Sequence, residues 1–558
     1  MKKTNNRFSK HLRDALASQA PIVPEIITPS THYLDQVMVR LPCFEPNSHT
    51  IELTGEDLTR NLLIVGSVGS GKTTGPIHRI VNDAIRFKAN DAQQKLGLVI
   101  FDMKGDRTLD AIQAFASGAG RGKDVLVLGG DSSLRLPFFS QLQEFEDIPL
   151  FVDSLQIASE RITGENAFWE QSRVTFMTAF LALLMASSQS MSMQLTLRWL
   201  HYLMNREFLS QGQIQREYEH RKKVLENLVG RTDLEEGLGI FLANCLDHLR
   251  CWEQLDPKSH SIHLSCVQLL LAPFTDLHAE RFVAGGLGEQ KHLYFPAQYL
   301  DIHSVINEGK ILVVSIPAAI YPKQAALVSK MVKSMLYSAI AARSPQKNDP
   351  DRLVLLVMDE YPLVATGNDP KFGDVEMLAT ARSRRMGVVA ATQGLINVQQ
   401  AIGEGPMKCL LCNFNAQIFM KCNDPLTNDY AYQHLGVKTI TRRRRVEDNP
   451  NAYDPWPFHP QPPGPNYVEQ TVPVCPLGTL SRLETYQAFV HGVAQGFTPD
   501  LVQFEPLYPN LPPAPKTKAK SQVSRCSLVT QAQLSIQSSR PDPSNLSDND
   551  PPLPPDFR

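Results

Sequence analysis

The chain has 558 residues, of which 42% are hydrophobic, and a formal net charge of -2. That length exceeds what one core organises, so two or three domains are expected. The near-neutral balance excludes a protein coated in positive charge and confines any nucleic-acid contact to a groove, loop or pore. Its nine cysteines are scattered through the chain, unlike a disulfide framework, and point to a reducing compartment.

Residues 1–35 begin basic but lack the apolar core of a signal peptide and read as an N-terminal extension. The longest apolar stretch, residues 174–186, spans about 13 residues against the roughly 20 that a membrane-spanning helix requires. It reads as a buried helix, and a soluble protein is expected. Residues 36–56 alternate apolar and polar side chains in VMVRL and TIEL, which predicts a short strand pair.

Residues 61–74 read NLLIVGSVGSGKTT. An apolar strand runs into a glycine-rich turn whose spacing fits G-x-x-x-x-G-K-[ST], and a helix is predicted over 76–87, with Pro76 suited to its first turn. Gly66, Gly69 and Gly71 let the backbone curl until N–H groups face an anion, so Gly66, Ser67, Val68, Gly69, Ser70, Gly71, Lys72, Thr73 and Thr74 are the expected phosphate cradle. Lys72 is expected on the β- and γ-phosphates and the Thr73 hydroxyl on Mg²⁺. ATP and Mg²⁺ are the expected ligands.

Residues 96–101 form a continuous apolar run ending at Asp102, as in a parallel strand buried on both faces with a ligand-facing tip. A helix near 108–116 and a strand near 124–128 repeat the plan, which implies right-handed crossovers and a parallel sheet. Strand signal then fades, and residues 151–285 read as an all-α insertion. The charged run 216–226 inside it reads as a solvated helix face.

The α/β pattern resumes at residues 310–316, followed by a helix near 323–343. Residues 352–360, RLVLLVMDE, are an apolar strand ending in adjacent carboxylates, the Walker B arrangement. Asp359 is expected in the Mg²⁺ shell, and Glu360 as the base that orients and deprotonates water. A further strand at 387–391 ends in Thr392 and Gln393, whose amide is suited to sensing the γ-phosphate or the attacking water. Ahead of it lies ATARSRRMG, where Arg382, Arg384 or Arg385 would serve as an arginine finger toward a neighbouring subunit.

Other features carry less chemistry. Cys409 and Cys412 form a CxxC with Cys422 beyond it, in a helix end followed by a strand, and read as buried small hydrophobes. His260 and His263 lack the pattern of metal ligands. The four arginines at 442–445 read either as cations contacting phosphate or an acidic partner or as a solvated loop. Residues 509–558 are rich in proline and serine and read as a disordered tail with Pro-rich docking ends.

The loop, FDMKGD, the helical stretch opening near FWEQSR, EGKILVVSIP, MDEY and the strand ending ATQ follow one another in an order that resembles TraD/TraG-like type IV secretion coupling proteins, within the FtsK/HerA branch of DNA-pumping ATPases. The resemblance spans roughly residues 37–508. It implies an α/β, RecA-like P-loop NTPase with a mainly parallel sheet, in two parts (36–150 and 286–508) around the insertion. It also implies a homohexameric ring that hydrolyses ATP to move DNA toward a secretion channel, with a relaxase and type IV secretion components as partners. Carried over by motif, it supports Lys72, Thr73, Asp359, Glu360 and Gln393 in the roles above and favours Arg382 as the finger. An adaptor that recruits a relaxase without processive translocation is the alternative. The family usually begins with membrane-spanning helices, which are not found here, so a bacterial cytoplasmic protein touching the inner membrane only through a partner is expected. Where the family usually carries an Asn-Pro pair after the third strand, this chain reads LRLPFF.

Overall fold

The computed structural model describes residues 33–44, 50–105, 107–130, 132–139, 142, 144–158, 167–186, 197–209, 212–231, 233–275, 279–284, 298–343, 352–367, 373–443, 467–493 and 500–509. The N-terminal extension up to residue 32, Arg444, Arg445 and the Pro/Ser-rich segment from residue 510 lie outside these. The described residues all fall in one compact unit, 1–509.

Sixteen strands are described. In chain order they are β1 (Val37–Phe44), β2 (Thr50–Thr54), β3 (Leu62–Val65), β4 (Gly97–Asp102), β5 (Val125–Gly129), β6 (Leu134–Pro137), β7 (Val283–Ala284) and β8 (Gln298–Tyr299). There follow β9 (Ile311–Ser315), β10 (Val354–Met358), β11 (Met386–Thr392), β12 (Ala416–Met420), β13 (Val437–Arg443), β14 (Tyr467–Pro473), β15 (Gln487–His491) and β16 (Asp500–Phe504). One large sheet has the order β2-β1-β16-β15-β12-β3-β11-β10-β4-β9-β5-β6-β7, with β8 also on β6; β13 and β14 form a separate antiparallel pair. From β12 to β7 every pairing is parallel, whereas β15, β16, β1 and β2 extend the other side antiparallel. The sheet is thus mainly parallel, and its chain order is that of an α/β fold.

The continuous apolar runs follow from burial on both faces. In β10, Val354, Leu356 and Met358 pack into one core, while Leu353, at its entry, Leu355 and Val357 pack into the other. β9 divides likewise, Leu312 and Val314 against Ile311 and Val313. Helices His78–Arg86 and Thr108–Gly118 cover one face together with β1 and β2. Helices Pro322–Ala341, Asp374–Thr380, Leu395–Ile402 and Glu404–Asn413 cover the other.

Between β6 and β7 the chain is helical: Asp147–Ala158, Ala167–Ala186, Leu197–Met204, Arg206–Leu209, Gly212–Val229, Glu236–Gln254 and Pro257–Thr275. Its apolar side chains, including Phe180, Leu249 and Trp252, are continuous with the core on the second face of the sheet. Among the described residues no helix is long and apolar enough to cross a membrane. The charged helix Gly212–Val229 is not solvated all round: Arg221 is buried and donates to Leu184 O at 2.6 Å, and its guanidinium lies over the Trp199 ring. His260 and His263 are buried against Trp252 and Phe176 rings, and desolvation lowers the pKa of both. The three cysteines expected to be buried divide. Cys422 is buried, but Cys409 and Cys412 are exposed, because helix Glu404–Asn413 turns Met407, Leu410 and Leu411 inward instead.

Buried guanidinium groups fasten the amino edge of the sheet. Arg352 donates to Lys95 O at 2.7 Å, to Ile306 O at 3.0 Å and to Ala92 O. Arg121 donates to Ile85 O, Leu96 O and Gly309 O. Each replaces water around backbone carbonyls that the fold has desolvated.

Candidate active site

Parallel strands share one carboxyl edge, so the segments following β3, β11, β10 and β4 converge although they are far apart in sequence. The loop after β3 is anchored there. Gly66 N donates to Thr392 O at 3.0 Å and Ser67 N to Lys421 O at 2.7 Å, which ties it to the ends of β11 and β12. Those two N–H groups are therefore spent on neighbouring strands, and the glycine turn proper begins beyond them. Gly69 and Gly71 have φ of 78° and 94°, a region that costs a side-chain-bearing residue strain. The helix leaving the loop starts earlier than Pro76. It opens with a π-turn over Thr73–Ile77, where Ile77 N reaches Lys72 O at 3.2 Å, and Pro76 inside the turn has no N–H to misplace.

Lys72 is 6% exposed. Its ammonium donates to Gly66 O and, at 3.2 Å, to Ser67 O, carbonyls of its own loop. Burial lowers its pKa, against the partial compensation of Asp359 and Glu360. Thr73 Oγ1 donates to Asp359 Oδ2 at 2.9 Å, joining residues 286 apart in sequence. Gln393 Nε2 lies 3.3 and 3.5 Å from the two oxygens of Glu360. Lys72, Thr73, Asp359, Glu360 and Gln393 therefore occupy one site.

A residue to which the sequence reading gave no role completes it. Lys104, two positions past the end of β4, donates to Asp359 Oδ2 at 2.7 Å and stands 3.4 Å from Glu360 Oε1. Burial alone would depress its pKa, but the two carboxylates outweigh that and raise it. Asp102, expected to face a ligand, is instead buried and accepts from Ser315 Oγ at 3.1 Å. The available signal was a lysine followed by a glycine just past an apolar strand; in the structure Gly105 turns the backbone there at φ 65°.

Beneath the carboxylates lies a buried polar cluster. Tyr361 and Tyr337 each donate to Asp374 at 2.8 Å, and Lys333 reaches both oxygens of Asp374 at 2.8 and 2.9 Å. Thr366 N adds a further donor at 2.8 Å. Burial, then the Asp374 charge, pushes both tyrosines well up, and desolvation lowers Lys333. The cluster fixes the turn after Glu360 against helices Pro322–Ala341 and Asp374–Thr380.

The three arginines separate. Arg382 is 63% exposed at its side chain and pairs with Glu56. It precedes the seven-residue strand β11, roughly 20 Å from the Gln393 end of that strand at about 3.3 Å per residue. Within the chain it lies at the opposite edge of the sheet from Lys72. Arg384 caps carbonyls of Ala341 and Arg343, the latter at 3.1 Å. Arg385 takes a left-handed φ of 55° that closes the turn into β11.

The residues present fit a divalent cation and a phosphate chain. Among the described residues Asp359 Oδ1, next to the Thr73 hydroxyl, is buried without a hydrogen-bond partner, and Ser70 Oγ within the loop is likewise unpartnered. Among the described residues the Lys72 ammonium is satisfied by loop carbonyls, contacts that an anion can replace.

Residues 353–462, which include Asp359, Glu360, Arg382 and Gln393, match a family model described as the TraM recognition site of TraD and TraG. No curated protein matches the chain in sequence. In fold the chain is similar to the bacterial conjugative coupling protein TrwB in its unbound form, at TM-score 0.55 and 15% identity over 83% of this chain and 88% of that one. It is similar to TrwB in complex with the GTP analogue GDPNP, at TM-score 0.54 and 16% identity over 83% and 90% of the two chains. It is also similar to TrwB with ADP and Mg²⁺, at TM-score 0.54 and 16% identity over 83% and 89%. The two chains thus share an α/β P-loop fold over most of their lengths.

Proposed function

We propose that this chain, which resembles TraD/TraG-like coupling proteins in the sequence of residues 353–462 and in its fold, is an ATPase that drives DNA, or a DNA-protein substrate, through a homohexameric ring toward a type IV secretion channel. The observation that carries the reading is Glu360 with the Gln393 amide on its carboxylate, beside a Thr73–Asp359 pair. A nucleotide-gated switch needs no base. A motor needs one at every turnover.

In this reading Lys72 leaves the Gly66 and Ser67 carbonyls for the β- and γ-phosphates. Thr73 and Asp359 would hold Mg²⁺, which would supply charge neutralisation for the phosphates. Glu360 accepts a proton from water as that water attacks the γ-phosphorus, and ADP departs with the bridging oxygen. Gln393 holds Glu360 and the water in line, so loss of the γ-phosphate is transmitted to β11. Arg382 acts in trans, since its own chain places it at the far edge of the sheet. The divided P-loop domain, 36–150 and 286–508, carries the chemistry, and the all-α stretch 151–285 receives cargo. The family description names TraM recognition, which favours a relaxosome-type partner and contact with the inner membrane through partners.

The adaptor alternative is separated by ATPase rates with and without single- and double-stranded DNA. The motor requires stimulation that Lys72→Ala and Glu360→Gln each abolish. Turnover indifferent to DNA would favour the adaptor.

A further inference from the structure

Two distant segments are pinned to the phosphate loop. Tyr486 N donates to Ser70 O at 2.9 Å and Leu507 N to Thr74 O at 2.7 Å, while Thr485 Oγ1 reaches Gly69 O at 3.4 Å. The Tyr486 ring lies directly over the loop, so that a Cβ on Gly71 would come within 2.4 Å of Tyr486 Cδ1 and one on Gly75 within 3.4 Å. Its hydroxyl is 3.2 Å from Thr74 Oγ1 and 2.5 Å from the hydroxyl of Tyr508. Tyr486 has φ 71°, a left-handed conformation unusual for an aromatic residue and costly to hold. Tyr508 is 62% exposed, a large ring left in solvent beside a phosphate cradle.

The Thr73 hydroxyl meets Asp359 whereas the Thr74 hydroxyl meets Tyr486, so phosphates seated from Lys72 toward Thr74 lead the rest of a nucleotide toward the tyrosines. We propose that Tyr486 and Tyr508 form the platform on which the planar heteroaromatic base of the nucleotide stacks. The inference rests on the nucleotide reading above and adds its base subsite. Such stacking draws on the π-face that every base presents. The strained Tyr486 backbone and the two glycines beneath its ring are explained together: the ring must come within contact distance of the loop to meet a base attached to phosphates held there.

The test is titration calorimetry on the full chain with Mg²⁺, comparing ATP with inorganic tripolyphosphate, which has the phosphates and no base. Tyr508→Ala and Tyr486→Ala should each weaken ATP by about tenfold, as loss of one base stack does, and leave tripolyphosphate within twofold. Tyr486→Phe should stay near wild type, because the stack survives without the hydroxyl. Lys72→Ala should lose both ligands. ATP affinity unchanged in both alanine variants, or equal losses for ATP and tripolyphosphate, would overturn the platform while leaving the phosphate site standing. A wild-type protein that binds neither ligand would overturn the nucleotide reading and the platform with it. Tyr508, being exposed, keeps the test open should Tyr486→Ala fail to fold.

Discussion

Lys104 Nζ donates to Asp359 Oδ2 at 2.7 Å, the same oxygen that accepts from Thr73 Oγ1 at 2.9 Å. An ammonium thus sits on the Asp359 carboxylate and shares its charge with Glu360. If Lys104 stands in for a divalent cation there, removing it frees both carboxylates. Lys104→Met should raise Mg²⁺ affinity of the nucleotide-free protein severalfold, read by Mn²⁺ competition in electron paramagnetic resonance. Unchanged affinity would show that the two cations do not compete.

Glu360 and Gln393 make contacts of 3.3 and 3.5 Å, loose enough to tighten once a water and phosphate lie between them. Glu360→Gln should lower kcat by roughly 10²–10⁴-fold, the usual range for losing a general base, with ATP affinity retained. Gln393→Ala should cost less, about tenfold in kcat, and leave binding unchanged. Single-turnover hydrolysis and equilibrium binding on the same samples separate the two effects.

Asp374 accepts from Lys333, Tyr337, Tyr361 and Thr366 N in a site where the Lys333 and Asp374 side chains are 1% and 0% exposed. Breaking such a pair from one side strands a buried charge, at a cost of about 3–5 kcal/mol. Asp374→Ala should therefore strongly lower the urea midpoint. Lys333→Met should cost less, because three neutral donors still hold Asp374. Similar losses in the two variants would contradict this asymmetry.

Arg384 is tied to the end of helix Pro322–Ala341, whereas Arg382 is exposed on Glu56. Arg384→Ala should lower Tm by a few degrees through lost caps, while Arg382→Ala should leave Tm unchanged and abolish turnover. Mixing Arg382→Ala with Glu360→Gln subunits should restore part of the activity if the finger works across an interface. No rescue at any ratio would remove Arg382 from that role.

Lys72 has its pKa lowered from 10.5 by burial, so in the free protein it loses its proton at lower pH than an exposed lysine. Anion binding needs the charged form. ATP affinity should fall as pH rises, beginning below the ordinary lysine range and approaching tenfold per pH unit for one proton. Stability moves oppositely: between the lowered folded pKa and the unfolded one the unfolded state holds more protons, so this residue's contribution rises with pH. Calorimetry from pH 7.5 to 10.5 should show the limb in wild type.

The sequence by itself determined the strand tips. Apolar runs ending at Asp102, Asp359 and Gln393, and the glycine-lysine-threonine loop, were legible because a strand buried on both faces admits few polar residues until it ends. Fading strand signal also marked residues 151–285 as helical, and helices from Asp147–Ala158 to Pro257–Thr275 are described between β6 and β7. What only the tertiary structure decided is which tips meet. Lys104 carried no role in the sequence, and its place between two carboxylates 255 and 256 positions away follows from β4 lying beside β10. Tyr486 and Asp374 had no local signature, since a ring over Gly71 and a carboxylate under Tyr361 exist only after segments from across the chain pack. The outward turn of Cys409 and Cys412 was missed for the same reason: composition gives a helix its apolar content, but its neighbours choose the buried face.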